Sequence, residues 1–228
     1  MALPENRTPY LPNDYDEKVR RTIPYYDFMH RETIGIVRSL KAMPNVWLDT
    51  GCGTGTMVYS ALEQFPCTRF ILADPSEAML DQARAKIGDE KRVCFLPPTG
   101  TLGLMAEIDQ RPDIITAVQC HHYLSREQRE RAVKVCFELL EKDGAFITFE
   151  NVRPLTDYGI EVAKSNLGRF QTENGKDALE VEQHLARFDR EYFPITIEEH
   201  LSLLRRTGFK VVELFWYSQM QAGLYCIK

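Results

Sequence analysis

The chain has 228 residues, 44% of them hydrophobic and 27% charged, a balance that excludes a fibrous, low-complexity or disordered chain and allows one large domain. With 28 basic against 33 acidic residues the net charge is −5, so no broad basic surface for nucleic acid is expected. The six cysteines (Cys52, Cys67, Cys94, Cys120, Cys136 and Cys226) form no CxxC or zinc spacing, and there is neither an apolar leader core nor a run long enough to span a membrane. The expectation is a reduced, cytoplasmic chain with no structural metal.

The first fourteen residues carry three prolines and little pattern, and read as a surface arm. Apolar residues then recur at helical intervals over 16–40, with Pro24 dividing the stretch in two. A short apolar run over 46–49 feeds a glycine turn, and a helix is expected over 56–64. The rhythm repeats: strands over 69–73, 92–96, 114–118 and 145–149, and helices over 76–86, 101–108 and 126–140. Strands this apolar, alternating with helices, indicate a parallel sheet covered on both sides. Residues 153–194 are charged and helical in pattern, as an inserted cap would be. A helix over 196–207 stops at Gly208, and 210–218 with 223–227 form a terminal hairpin, the antiparallel connection being the simplest across a short link.

Ligands of doubly wound sheets bind at the carboxyl ends of strands near the switch point, which directs attention to Asp49-Thr50-Gly51-Cys52-Gly53-Thr54-Gly55. A dinucleotide fingerprint beginning at Gly51 would need glycine where Thr56 stands, and no phosphate-loop pattern occurs. Asp49 would repel a pyrophosphate and attract an ammonium or sulfonium. The next strand ends in Ala73-Asp74-Pro75-Ser76, and a carboxylate there can accept both hydroxyl protons of a ribose diol. The alternative for Asp74 is a helix N-cap, for which Ser76 competes.

Val46-Trp47-Leu48-Asp49-Thr50-Gly51-Cys52-Gly53-Thr54-Gly55, followed by Ala73-Asp74-Pro75-Ser76-Glu77-Ala78-Met79-Leu80, resembles the first two motifs of the class I S-adenosylmethionine-dependent methyltransferases. The resemblance covers roughly residues 44–152. It implies a Rossmann-like doubly wound α/β fold with a seven-stranded, mostly parallel sheet whose last strand is antiparallel. It also implies S-adenosylmethionine as methyl donor, with S-adenosylhomocysteine as product. By this likeness Asp49, Gly51, Cys52, Gly53, Gly55, Asp74, Pro75 and Met79 bind the cofactor. Where the family often has an acidic residue for adenine, this chain has Leu96-Pro97-Pro98-Thr99-Gly100, leaving Thr99 and the backbone of Gly100 for that task. Gln119, after the fourth strand, is assigned to the methionine portion and Tyr123 to the acceptor. His121 and His122 are the candidate general bases, although methyl transfer driven by positioning needs none. Cys120 reads as a small buried residue.

The segment Tyr15 to Tyr26 and the ending Glu213 to Lys228 resemble the branch that includes carboxy-S-adenosylmethionine synthases. That likeness implies Tyr26 closing over the cofactor and Arg187 meeting a substrate or cofactor carboxylate. The resulting organisation is one domain over 1–228, with arm and lid over 1–40, cofactor core over 44–152, cap over 153–194 and terminal helix and hairpin over 195–228. The function expected is methyl transfer to a small-molecule acceptor. Its rivals are a carboxy-S-adenosylmethionine synthase-like enzyme and a non-catalytic module that only binds the nucleoside. A homodimer is left open.

Overall fold

The computed structural model describes residues 8–228; the beginning of the predicted arm lies outside them. Seven strands form one sheet: β1 (Val46–Thr50), β2 (Arg69–Ala73), β3 (Val93–Phe95), β4 (Ile114–Val118), β5 (Ala145–Asn151), β6 (Val211–Ser218) and β7 (Gln221–Ile227). Their order is β3-β2-β1-β4-β5-β7-β6, and β7 alone runs against its neighbours. The chain fills one side of β1 with β2 and β3, then crosses to lay β4 on its other side, so the switch point lies between β1 and β4.

The strands are buried on both faces because alternate side chains enter different cores. Leu48, Ile71, Ile115 and Phe146 pack with Val133, Cys136 and Leu204 on the face of α5 (Arg126–Leu139) and α8 (Ile197–Thr207). Trp47, Phe70, Leu72 and Ile147 pack on the other face, against α2 (Tyr26–Leu40), α3 (Thr56–Ala61) and α4 (Glu77–Ile87). Local chemistry sets the helix ends. Ser125 with Gln128 and Thr196 with Glu199 form capping boxes, and α8 ends on Gly208 at φ +117°.

Before the sheet come α1 (Tyr15–Thr22) and α2, separated at Pro24 with Tyr25 left-handed at φ +63°. After β5 come α6 (Asp157–Glu173) and α7 (Ala178–Ala186), under which Ala163, Phe188, Tyr192 and Met220 make a small core of their own. The elements differ from expectation in detail. Residues Thr101–Ala106 form a 3₁₀ helix, because Gly103 and the short connection into β4 do not support α-helical turns. Another 3₁₀ turn, His121–Tyr123, was not foreseen, and β7 starts two residues early, leaving a tighter hairpin. The expected surface arm in part turns inward: Thr8 and Tyr10 face cavities. None of the helices of the described residues is long and apolar enough to cross a membrane.

Candidate active site

The carboxyl ends of β1, β2 and β4 open into a cleft with about 1250 Å³ of empty space, its mouth included. Gly51 makes the turn after β1 at φ +67°; a Cβ there would lie 2.5 Å from Cys120 Cβ, so only glycine lets the two loops approach. Gly55, at φ +74°, begins α3 and lies close against Ala83 of α4.

Two carboxylates face this cleft, and they are held differently. Asp49 is 2% exposed. Trp47 Nε1 donates to Thr116 Oγ1 at 2.9 Å, and that hydroxyl donates to Asp49 Oδ1 at 2.6 Å. Burial pushes the Asp49 carboxyl up to about 7; the Thr116 bond opposes the rise and the Asp74 charge adds to it. Asp74 is gripped by backbone, its two oxygens accepting from Ser76 N and Gly53 N at 2.9 Å each. Burial raises its pKa against those amides. The carboxylate therefore ties the second strand's loop to the glycine turn, and each oxygen keeps acceptor capacity for a further donor. Ser76, not Asp74, caps α4.

Of the residues singled out from the sequence, Tyr26, Asp49, Gly51, Cys52, Gly53, Asp74, Pro75, Met79, Gly100, Gln119, His121 and Tyr123 all line this one cleft. Gly55, Thr99 and His122 stand outside its walls. Gly55 faces α4, and Thr99 N donates to the Asp74 carbonyl at 3.0 Å. The candidate bases are both buried. His121 Nε2 is bonded to Thr101 Oγ1 at 2.9 Å, and burial lowers its pKa to about 4. His122 Nδ1 meets Glu150 Oε2 at 2.9 Å.

Glu150, to which the sequence reading gave no role and which lies just past the expected strand, organises this corner. Its carboxylate accepts from His121 N, His122 N, the His122 ring and Thr148 Oγ1. Burial pushes it up, but the His122 hydrogen bond and the electrostatic pull of His122, His121 and His200 together outweigh that and hold it at about 2. The buried Arg129 guanidinium caps the carbonyls of His121, His122 and Leu124 from below. Both residues fasten the turn that carries Tyr123 into the cleft. A polar residue at the inward end of an apolar strand was the available signal for Glu150.

A second chamber adjoins the cleft, sharing Thr8, Tyr15, Gln119 and Tyr123 with it. Arg187, 7% exposed, lies on its wall, bonded to Glu191 Oε2 at 2.6 Å and to the Tyr123 hydroxyl. Tyr10, Tyr192, His184 and Gln221 are among its other polar lining residues. Tyr15 of α1 lines both spaces and Tyr26 of α2 the cleft. Asp16 of α1 accepts from Thr54 Oγ1 at 2.7 Å and pairs with Lys86 at 2.6 Å, while Gln171 of α6 donates to the Thr22 carbonyl at 3.1 Å. Among the described residues no cluster of histidine, cysteine or acidic side chains could hold a metal.

A family model described as a methyltransferase domain matches residues 48–146. The carboxy-S-adenosyl-L-methionine synthase of Methylococcus capsulatus is 25% identical over 223 residues, covering 94% of this chain and 89% of that protein. Among solved structures, the plantazolicin methyltransferase BamL, crystallised with a triazolic desmethylPZN analog and SAH, superposes with TM-score 0.70 at 16% identity, over 96% of this chain and 89% of that one. Human N-acetylserotonin methyltransferase in complex with SAM gives TM-score 0.57 at 13% identity over 99% of this chain, which spans only 60% of that longer protein.

Proposed function

We propose that the chain acts as a class I S-adenosylmethionine-dependent methyltransferase, in which the cleft holds S-adenosylmethionine and the adjoining chamber a small-molecule methyl acceptor. The observation that carries this is the pair Asp49 and Asp74 at adjacent strand ends, facing one cleft that opens directly into a second, tyrosine-walled chamber. The residues fit the donor. Asp74 suits a ribose diol, Asp49 an ammonium group, and Cys52, Met57 and Met79 supply apolar surface for a base. When bound, the donor supplies an electrophilic methyl group on a sulfonium.

This chain's part is to bind, orient and exclude water. Gln119 lies on the boundary of both spaces and keeps a buried Oε1 without a partner. Tyr15 and Tyr123 stand at the same boundary and narrow the passage. His121 and His122 act in this reading as braces for the turn, since their ring nitrogens are engaged by Thr101 and Glu150. We read Arg187 and Tyr123 as acceptor-binding. Six free cysteines suit the reducing cytoplasm.

One observation favours a second reading. The buried Arg187 cation stands beside the shared boundary, where a carboxylate on the transferred group would meet it, and relatives named as carboxy-S-adenosyl-L-methionine synthases match along most of the chain. Mass spectrometry of ligand carried through purification separates the two, since only the second leaves a carboxylated nucleoside in the cleft. Calorimetry tests the shared premise: Asp74→Ala is expected to weaken S-adenosylhomocysteine about tenfold or more. Unchanged affinity removes the ribose role.

A further inference from the structure

Six buried side-chain nitrogen or oxygen atoms among the described residues have no hydrogen-bond partner, and four of them belong to residues lining the cleft or its chamber: His30, Gln119, His184 and Gln221. A polar group buried without a partner carries its desolvation cost with nothing in return, so its concentration at a cavity points to a ligand. His30 was not singled out by the sequence. It sits one turn into α2, 6% exposed, its ring edge-on to Tyr26 with centroids 4.7 Å apart.

The amino-acid end of the donor is a zwitterion. Its ammonium is served by Asp49, and the same aspartate with Asp74 repels the carboxylate from that wall. No lysine or arginine is among the described residues lining the cleft. The cations that act electrostatically on His30 are paired elsewhere: Lys86 with Asp16 at 2.6 Å and Arg20 with Asp27 at 2.9 Å. Of the two imidazoles in the cleft, His121 is bonded to Thr101. His30 is the remaining imidazole, carried by α2 and not by a strand-end loop.

We propose that His30 binds the carboxylate of the cofactor's amino-acid moiety, making the lid helix α2 the reader of that end of the donor. The inference rests on the cleft being the S-adenosylmethionine site. The groups facing the ring are Asp16 and Arg20 of α1, Asp27 of its own helix and Lys86 of α4. Burial holds the ring neutral, with its pKa at about 4; a neutral imidazole still donates one N–H, and an arriving carboxylate favours the protonated form.

Three probes decide it by calorimetry: S-adenosylhomocysteine, its decarboxylated analogue, which keeps the ammonium, and 5′-methylthioadenosine, which lacks the whole amino-acid end. Wild type should prefer S-adenosylhomocysteine over the decarboxylated analogue. His30→Leu should bind S-adenosylhomocysteine about tenfold more weakly while its affinity for the other two stays unchanged. Its melting temperature should not fall, because the substitution removes an unpaired polar atom. His30→Phe, which keeps the ring shape, should repeat the result and decides the matter if the leucine variant does not fold.

Unchanged S-adenosylhomocysteine affinity in a folded variant overturns the proposal while leaving the cleft's assignment standing. Equal weakening of 5′-methylthioadenosine also overturns it, by showing general damage. Absence of wild-type preference between the first two probes does the same. A wild type that binds none of the three removes both the proposal and the reading beneath it.

Discussion

The cleft and the chamber share a boundary yet are made in opposite ways. The cleft wall comes mainly from short stretches that directly follow β1, β2 and β4, so strand and ligand-facing residue are chain neighbours. The chamber draws on residues as far apart as Tyr10, Asn151, His184, Arg187 and Gln221. A site at strand ends inherits its geometry from the sheet's hydrogen bonds, whereas a site between helices depends on how each helix docks. The first is rigid and its chemistry local. The second is free to differ while the sheet stays the same.

Glu150 fastens the turn that carries Tyr123 to the boundary of the two regions, and its removal should have the largest effect. Glu150→Ala leaves buried donors from His121, His122 and Thr148 unpaired, with an expected loss of about 3–5 kcal/mol in urea unfolding. A loss typical of an exposed residue would mean that the turn does not depend on this carboxylate. Since its folded pKa, about 2, lies below the ordinary 4.5, its stabilisation is present above the ordinary value and is lost as pH falls through the folded one.

Gly51→Ala should come next, at about 2–3 kcal/mol, because it combines left-handed strain with a steric clash against Cys120. The double variant Gly51→Ala/Cys120→Gly separates the two causes: it should recover the steric share and leave the backbone share. Full recovery would show that the φ of this turn is not costly to alanine.

Asp49 has the opposite pH sign from Glu150. Its pKa is raised to about 7 by burial, so stability contributed by the protonated form declines as pH climbs from the unfolded value through the folded one. A guest ammonium favours the charged carboxylate. S-adenosylhomocysteine affinity should therefore rise up to about tenfold per pH unit below 7, then level off. Calorimetry in buffers of differing ionisation enthalpy should show a proton released on binding in that range. Thr116→Val removes the hydroxyl that favours the charged form and should move the midpoint upward; an unmoved midpoint would break the link between this bond and binding.

The smallest effect belongs to the lid. Asp16 is held below its ordinary pKa despite burial by its bonds to Lys86 and the threonines of the glycine turn. Asp16→Asn should speed S-adenosylhomocysteine release by about threefold in stopped-flow measurements, with little change in melting temperature, as befits a partly exposed ion pair. Release at the wild-type rate would mean that α1 is kept in place by its contacts with α6 alone.

Asp49, the glycine turn and Asp74 were legible because each lies at the end of an apolar strand, where chain order and spatial order coincide. Arg187 was singled out only through the family likeness, and its place beside Tyr123 depends on how the helices after β5 fold back. His30 gave no local sign. It falls on the apolar stripe of α2, where periodicity reads only burial.

The order of apolar strands and helices, the turns that glycine permits and the carboxylates that follow the strands are short-range matters, settled by steric and hydrogen-bonding preferences within a few residues. Which distant side chains share a wall, and which buried polar atoms go unpaired, is settled only when helices dock on the sheet. Those contacts join residues whose separation along the chain says nothing of their separation in space. The strand-end cleft thus belongs to the sequence, whereas the adjoining chamber, and the placing of His30 of α2 in the cleft wall, belong to the packing.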